Sequence, residues 1–372
     1  MKKYSYLKLL CAIIIISVLM CINGEVIFAE SRWIDSTNST HLNLIIRDEV
    51  RDRIYLADSG NSKLVIIDSQ SEAVTRSMSL PGNIMDMAIS KDGSRLAVAS
   101  AGSIIMVNLN TLRASKIKLP KELKGLVVAI AFDQNGHMFC LKGALTFTTK
   151  VVINLAWSLI YHLSASGDTL INKFGIGLSL NESVYCGILK TDISGTKLYV
   201  ADRWRHNLTI HKIDISNPKK PVFLAKNQDK ELGGNLRDFT ISPRYDEVYL
   251  ASGSPYGIQV VNSSTLRLIT VLETGEYPCG VDVSRSGDKI YGIPADSGKN
   301  NYAYEFNAKD RTLLESYQLL SEVDKGAARA RGIAVDRFAE KAFVVHGIDE
   351  YDESSKTGQM KVQVVDVSGS GD

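Results

Sequence analysis

The chain has 372 residues, of which 45% are hydrophobic and 23% are charged, a globular composition rather than a disordered or fibrous one. Its 43 basic and 41 acidic residues nearly balance. Because binding to nucleic acid or to an anionic membrane surface normally needs a basic excess, we expect neither partner.

Residues 1–29 have the pattern of a secretory signal peptide. Lys2, Lys3 and Lys8 precede the apolar run of residues 9–22, and the small residue Ala29 follows. The run is short for a membrane span of about 20 residues. The pattern predicts cleavage and export, with an uncleaved N-terminal anchor as the alternative. In both cases residues 30–372 are expected to form a single extracellular, periplasmic or cell-surface domain, with no membrane span after signal removal.

A short apolar phrase recurs seven times after the signal segment. It reads RIYLAD at 53, RLAVAS at 95, HMFCLK at 137, KLYVAD at 197, EVYLAS at 247, KIYGIP at 289 and KAFVVH at 341. Turn dipeptides such as Asp92-Gly93 precede several copies and indicate hairpins. A third run then ends on Asp or Asn in every unit, at Asp68, Asn108, Asn154, Asp214, Asn262, Asn307 and Asp366. Fourth strands are predicted near residues 73–80, 113–119, 221–226, 266–272 and 312–319.

Four strands in units of 42 to 60 residues predict an all-β fold, a seven-bladed β-propeller of four-stranded antiparallel blades. An α-solenoid is excluded because the apolar positions alternate with period two. Too few residues follow Asp366 for an outermost strand, so residues 32–36 are predicted to supply it and close the ring, with Trp33 as apolar anchor or, alternatively, as an exposed aromatic residue. The longest interval predicts an elaborated third blade at about 126–186, where residues 153–163 form either a short helix or a pair of strands.

These units resemble the YVTN-repeat branch of seven-bladed propellers, which is itself similar to lactonase-like propellers. Residues 197–215 (KLYVADRWRHNLTIHKIDI) carry the family's strand, polar loop and strand ending in Asp, and residues 275–278 (GEYP) match its G-x-x-P crossing. The resemblance spans roughly residues 42–368. The Asn of the name-giving motif is Asp58 and Asp202 here. Because the motif is structural, the resemblance implies a fold and no catalytic residue.

Binding residues are expected where the inner strands begin and the loops between second and third strands gather. One loop combines an indole with two guanidinium groups, and three further arginines with one aspartate lie near the starts of inner strands. The candidates are Arg203, Trp204, Arg205, His206, Arg237, Asp238, Arg329 and Arg331. The favoured alternatives are a solvated hairpin for the first loop and Arg–Asp ion pairing between blades for the rest.

Metal and thiol chemistry receive little support. The acidic loop with Asp349, Glu350, Asp352 and Glu353 lacks calcium-loop spacing, so a hydrated tip is favoured over a cation site. The six histidines show no HxH or HxxxH spacing, so a metal or haem site would have to be assembled across blades. Cys140, Cys186 and Cys279 are interpreted as buried free thiols, with one disulfide plus one free thiol as the alternative.

The sequence therefore predicts an exported, monomeric binding or scaffold protein of the cell envelope. It would engage a protein or envelope polymer through loops at one rim, with no cofactor and no catalysis of its own. The alternative function is a lactonase-type hydrolase with its site at the central channel mouth.

Overall fold

The computed structural model describes residues 31–39, 42–100, 102–123, 125, 127–142, 159–175, 187–202, 208–227, 232–295, 301–320, 322–323, 326–327, 329–347 and 360–369. These residues form β-strands and one 3₁₀ turn, Lys121–Leu123. Across these ranges no helix has the length and apolarity needed to cross a membrane. The segment 1–29 lies outside the described residues, so its interpretation as a signal peptide stays a prediction.

The strands of the described residues are numbered in chain order. They are β1 (Ser31–Ser39), β2 (Leu42–Arg47), β3 (Arg53–Asp58), β4 (Lys63–Asp68), β5 (Ala73–Ser79), β6 (Ile84–Ile89), β7 (Arg95–Ser100), β8 (Ser103–Asn108), β9 (Arg113–Lys116), β10 (Val127–Phe132), β11 (Met138–Lys142), β12 (Leu159–Leu163), β13 (Leu170–Gly175), β14 (Gly187–Thr191), β15 (Lys197–Asp202), β16 (Ile210–Asp214), β17 (Val222–Lys226), β18 (Gly234–Ile241), β19 (Glu247–Ser254), β20 (Tyr256–Asn262), β21 (Leu268–Leu272), β22 (Pro278–Val283), β23 (Lys289–Pro294), β24 (Tyr302–Asn307), β25 (Leu313–Gln318), β26 (Glu322–Val323), β27 (Gly326–Ala327), β28 (Arg329–Val335), β29 (Lys341–Gly347) and β30 (Met360–Asp366).

Seven four-stranded antiparallel sheets form the blades of the described domain. Blades one to six are β2–β5, β6–β9, β10–β13, β14–β17, β18–β21 and β22–β25, and blade seven has the order β28-β29-β30-β1. The first strand of each blade contacts the first strands of both neighbouring blades, including β2 with β28. The ring is therefore closed around these inner strands, and the predicted seven-bladed propeller is confirmed.

The recurring phrase is the second strand of each blade, and its central residue is a core position. The residues there, at most 2% exposed, are Tyr55, Ala97, Phe139, Tyr199, Tyr249, Tyr291 and Phe343. A large ring at this position packs between adjacent twisted sheets, because a single four-stranded blade cannot bury both faces alone. The repetition of the phrase thus reflects repeated packing between blades.

The polar residue that ends the third strand turns the chain as predicted in most blades. Asn108 Oδ1, for example, accepts hydrogen bonds from the backbone N–H groups of Asn110 at 3.0 Å and Thr111 at 2.9 Å. The assignment was wrong in blade three, where the third strand is β12 and Ser164 follows it. Asn154 and the rest of segment 143–158 lie outside the described residues. Two apolar runs competed for this strand, and the later one pairs with β11.

The N-terminal strand predicted to close the ring is present as β1. It pairs with β30 from Ser31 opposite Val365 to Ile34 opposite Val362, and the register then shifts before Ser39. Ile34 is 6% exposed within a cluster of blade-seven valines. Trp33 is half-buried, with its ring edge-on to His346 at a centroid distance of 5.1 Å. Ile34 rather than Trp33 is therefore the most buried apolar residue of the closing strand.

Candidate functional site

A recurrent β-bulge places particular side chains at the start of the inner strands. In the described strands of blades one, two, three, five, six and seven, the pairing of first and second strands shifts by one residue near this start. The extra residue in blades five, six and seven is Arg237, Cys279 and Arg331, respectively. All three line one central cavity. Because a bulge redirects the side chain at the extra residue, it gives these three side chains a common orientation toward the channel.

The cavity has a volume of about 270 Å³ and is lined by the inner strands of every described blade. Most of its wall is aliphatic. Its charged lining residues in the described part of the chain are four basic ones and two carboxylates: Arg47, Lys190, Arg237, Arg331, Asp86 and Asp238. The excess of positive charge in a partly enclosed space favours a negatively charged ligand group.

The two carboxylates of the lining accept hydrogen bonds between blades. Asp86 Oδ2 of blade two accepts the N–H of Ile130 in blade three at 2.8 Å. Asp238 Oδ1 lies 2.9 Å from Lys190 Nζ, which also sits 5.5 Å from the centre of the Phe239 ring. Ion pairing between blades, the alternative predicted for Asp238, is thus observed with a lysine as partner.

Arg47 is a basic lining residue whose guanidinium group is bonded to neighbouring blades. Its Nη1 lies 3.2 Å from Asp282 Oδ2 and donates to the carbonyl oxygens of Val283 at 3.1 Å and Val335 at 2.9 Å. Burial raises the pKa of Asp282, and the Arg47 guanidinium opposes that effect. These contacts join blade one to blades six and seven through one side chain.

Cys279 lies near the two remaining arginines of the lining. Its thiol is 7% exposed and Sγ is 3.0 Å from the carbonyl oxygen of Ala330. Burial raises the pKa of Cys279 to about 12, although the positive charges of Arg331 and Arg237 oppose the shift. The thiol is therefore neutral at pH 7 and a poor nucleophile. Cys279 and the fully buried Cys140 are both free thiols, and Cys186 lies outside the described residues.

The structure brings together three of the binding residues predicted from the sequence, namely Arg237, Asp238 and Arg331. Arg329 begins β28, but its side chain lies outside the description. Two loops that carry the other candidates also lie outside the described residues. One holds Arg203, Trp204, Arg205 and His206, and the other holds Asp349, Glu350, Asp352 and Glu353.

Sequence reasoning missed Arg47, Lys190 and Cys279 as lining residues. A signal for two of them existed in the alignment of inner strands. Arg47 occupies the last position before the polar turn residue in blade one, and Lys190 occupies the position before that in blade four. These are positions where other blades carry mostly apolar residues. A charged residue there would have marked the channel wall.

Comparison with known proteins supports the propeller repeat. Residues 191–227 match the model of the LVIVD repeat. The match runs from the end of β14 past β17, so it covers most of blade four. No curated protein matches the chain. Among solved structures, hydrazine synthase from Kuenenia stuttgartiensis is similar with a TM-score of 0.60 and 11% identity, covering 88% of this chain and 98% of that one. At this identity the similarity concerns the fold alone, and the finer resemblance to YVTN-repeat and lactonase-like propellers stays a prediction.

Proposed function

We propose that the chain is an exported β-propeller binding protein that holds an acidic group of a protein or cell-envelope polymer at the mouth of its central channel. The observation that carries the proposal is the shared direction of Arg237 and Arg331, both placed by β-bulges in the wall of one cavity. The signal-like pattern of residues 1–29 supports the exported location.

Two guanidinium groups suit a carboxylate or a related oxyanion. Arginine presents a planar fork of N–H donors that matches two acceptor oxygens, and such charge-assisted bonds are stronger than neutral ones. The cavity volume of about 270 Å³ is below the usual size of a pocket for a whole drug-sized ligand. It is large enough for a side chain or a terminal sugar acid, so the bulk of a larger partner would stay outside.

Binding is favoured over the lactonase-type alternative because the polar groups of the cavity that could act on water are already hydrogen-bonded or protonated. A water-activating base needs an acceptor atom close to the reacting water. Asp86 and Asp238 already accept hydrogen bonds from neighbouring blades, and burial keeps the Cys279 thiol protonated. These groups are used to join blades and shape the cavity.

The proposal is tested with acidic probes of defined chemistry. Full-length protein, Arg237→Gln, Arg331→Gln and the double variant are titrated by calorimetry with hexaglutamate and oligogalacturonate, and with neutral dextran oligomers for comparison. Arg285→Gln is the matched control, since Arg285 is 57% exposed and is not among the lining residues. The same proteins are assayed for hydrolysis of a lactone panel with and without divalent metal.

We expect an acidic probe to bind the wild type and Arg285→Gln equally. Each cavity substitution should weaken binding by about tenfold or more, because one charge-assisted hydrogen bond contributes on that scale. Equal affinity of the double variant and the wild type for every bound probe, or no binding of any acidic probe, would overturn the proposal. Lactone turnover that falls in Arg237→Gln or Arg331→Gln would establish the hydrolase alternative instead.

A further inference from the structure

Two histidines and one aspartate meet within blade three, at the opposite ends of its strands from the bulges. Asp133, His137 and His162 each place one potential ligand atom within 4.8 Å of the others. Asp133 follows β10, His137 precedes β11, and His162 lies in β12 opposite Phe139. Among the described residues this is the one grouping of three such side chains. It lies inside a single blade, whereas the sequence analysis expected such a grouping to be assembled across blades.

The Asp133 carboxylate is held in place by the turn that it caps. Oδ1 accepts the backbone N–H groups of Asn135 and His137, each at 2.8 Å. Oδ2 points toward the histidines, 3.0 Å from His137 Nδ1 and 3.9 Å from His162 Nε2. The Asp133 side chain is only 1% exposed, so it offers one oxygen atom from a rigid and nearly buried carboxylate.

His162 has the orientation of a metal ligand. Its Nδ1 lies 3.2 Å from the carbonyl oxygen of Pro218. A carbonyl only accepts, so Nδ1 carries the hydrogen and Nε2 carries the lone pair. Histidines that bind metals commonly donate their other N–H to a backbone carbonyl in this way, which fixes the tautomer and the ring. The ring is further held by stacking on Phe139, with centroids 4.3 Å apart.

The lone pair of His162 Nε2 has no hydrogen-bond partner within the described residues, although the side chain is fully buried. It faces an oxygen of Asp133 that is also an acceptor. Two acceptors aimed at each other across 3.9 Å repel unless a cation or a donor lies between them.

The equivalent residue of blade one, Asp48, shows one way in which this second oxygen is satisfied. Asp48 Oδ2 accepts the Tyr55 hydroxyl at 2.9 Å and Arg51 Nη1 at 3.1 Å. In blade three the tyrosine position is Phe139, which has no hydroxyl. Blade three thus has two imidazoles where blade one has a hydroxyl and a guanidinium group, and an imidazole nitrogen can bind a metal ion.

We propose that Asp133, His137 and His162 bind one divalent first-row transition ion, with Zn²⁺ as the reference ion. Two imidazoles and one carboxylate are a common ligand set for such ions, and a water would complete the coordination. The side chain of His137 is 25% exposed, which gives the ion a route from solvent. The site would fasten the first turn of blade three to β12 and, through the Pro218 carbonyl, to blade four.

The test uses full-length, untagged protein after dialysis against EDTA. Zn²⁺ binding is measured by competition with a chromophoric chelator at pH 7.5, and Co²⁺ is added separately to record its d–d absorption. The variants are His137→Gln and Asp133→Asn. The first replaces a partly exposed side chain and the second keeps an oxygen for the turn, so both should fold. His346→Gln is the control, because it also removes a buried histidine and leaves the cluster intact.

We expect the wild type and His346→Gln to bind one Zn²⁺ and to give the Co²⁺ spectrum of a four- or five-coordinate ion. His137→Gln and Asp133→Asn should each lose at least about tenfold in affinity and lose the Co²⁺ bands. Saturating Zn²⁺ should raise the melting temperature of the wild type and of the control only. Absence of binding by the wild type, or unchanged affinity and spectrum in both cluster variants, would overturn the proposal. Circular dichroism of each variant separates loss of the site from loss of the fold.

Discussion

Arg47 Nη1 of blade one lies 3.2 Å from Asp282 Oδ2 of blade six. The same nitrogen donates a hydrogen bond to the carbonyl oxygen of Val335 in blade seven. Asp282 in turn accepts the N–H of Val335 at 2.9 Å. The two side chains are 8% and 17% exposed, so the pair is largely shielded from solvent. It joins the inner strands at the point where the ring closes, a place where no covalent connection runs between β28 and β2.

Replacing Arg47 by Met should destabilise the protein by about 3 kcal/mol, because a buried carboxylate loses its cation. The double variant with Asp282→Asn should cost less than the sum of the single changes, with a coupling of about 1–3 kcal/mol. The measurement is the free energy of unfolding in urea. Arg244→Gln, which removes an exposed ion pair with Asp288 between blades five and six, is the control and should change stability by less than about 0.5 kcal/mol. An Arg47→Met protein as stable as this control would contradict the assignment.

Ile34→Ala tests the closing strand. The side chain is 6% exposed among Val362, Val364 and Ile54, so its truncation should cost about 2–4 kcal/mol through lost burial and a cavity. Leu313→Ala makes the same kind of change on the outer strand of blade six at a residue that is 53% exposed. The control should lose less than about 1 kcal/mol. Similar losses in the two variants, measured by thermal unfolding, would mean that β1 is not docked as described.

Stability should fall as the pH drops from about 6.5 to about 4, in part because of His346. Burial lowers the pKa of His346 from 6.5 to about 4, and a contact with Gln363 opposes the shift. In that window the unfolded chain binds a proton that the folded chain excludes, so acid favours unfolding by up to about 3 kcal/mol.

The measurement is the urea midpoint of wild type and His346→Gln at several pH values. The difference between the two curves should change between pH 6.5 and 4 and be constant above pH 7. Asp92 and Asp214, with pKa values lowered to about 2, lose their contribution only as the pH falls below about 4. Parallel curves across the whole window would show that His346 does not titrate in this way.

Cleavage of the signal segment is expected after Ala29, which would make Glu30 the first residue of the mature protein. This position leaves β1, which begins at Ser31, complete for ring closure. Intact mass and N-terminal sequencing of the exported protein provide the measurement. Ala29→Arg should block processing, while Asn23→Gln should not. An unprocessed wild-type protein would support the N-terminal anchor instead.

The blades could be predicted from the sequence because their signal is local. Tyr55, Tyr199 and their equivalents recur inside alternating runs, and such periodicity reflects packing directly. The closing strand followed from a shortage of residues after Asp366. The bulges could not be predicted in the same way, because one extra residue hardly alters an apolar run yet decides whether Arg237 and Arg331 face the channel.

The histidine cluster was hidden by register. His162 meets His137 only because β12 pairs with β11, and the sequence analysis had placed the third strand of this blade at the run ending in Asn154. That choice left His162 outside the predicted third strand, in a run interpreted as either a short helix or a pair of strands. The pair of Lys190 and Asp238 could not be predicted either, since their contact depends on how the inner strands of two neighbouring blades are aligned. Strand existence was thus easier to predict than strand pairing.

The outer strand of blade seven, β1, comes first among the described strands in chain order, whereas its partner β30 comes last. Gln363 Nε2 donates to the Ser31 hydroxyl at 2.7 Å across a separation of 332 residues. Blade seven can therefore assemble only after nearly the whole polypeptide has emerged, and contacts of such long range make folding slow. Removal of β1 would leave the outer edge of β30 without its partner, so the stability of blade seven depends on a strand at the other end of the described chain.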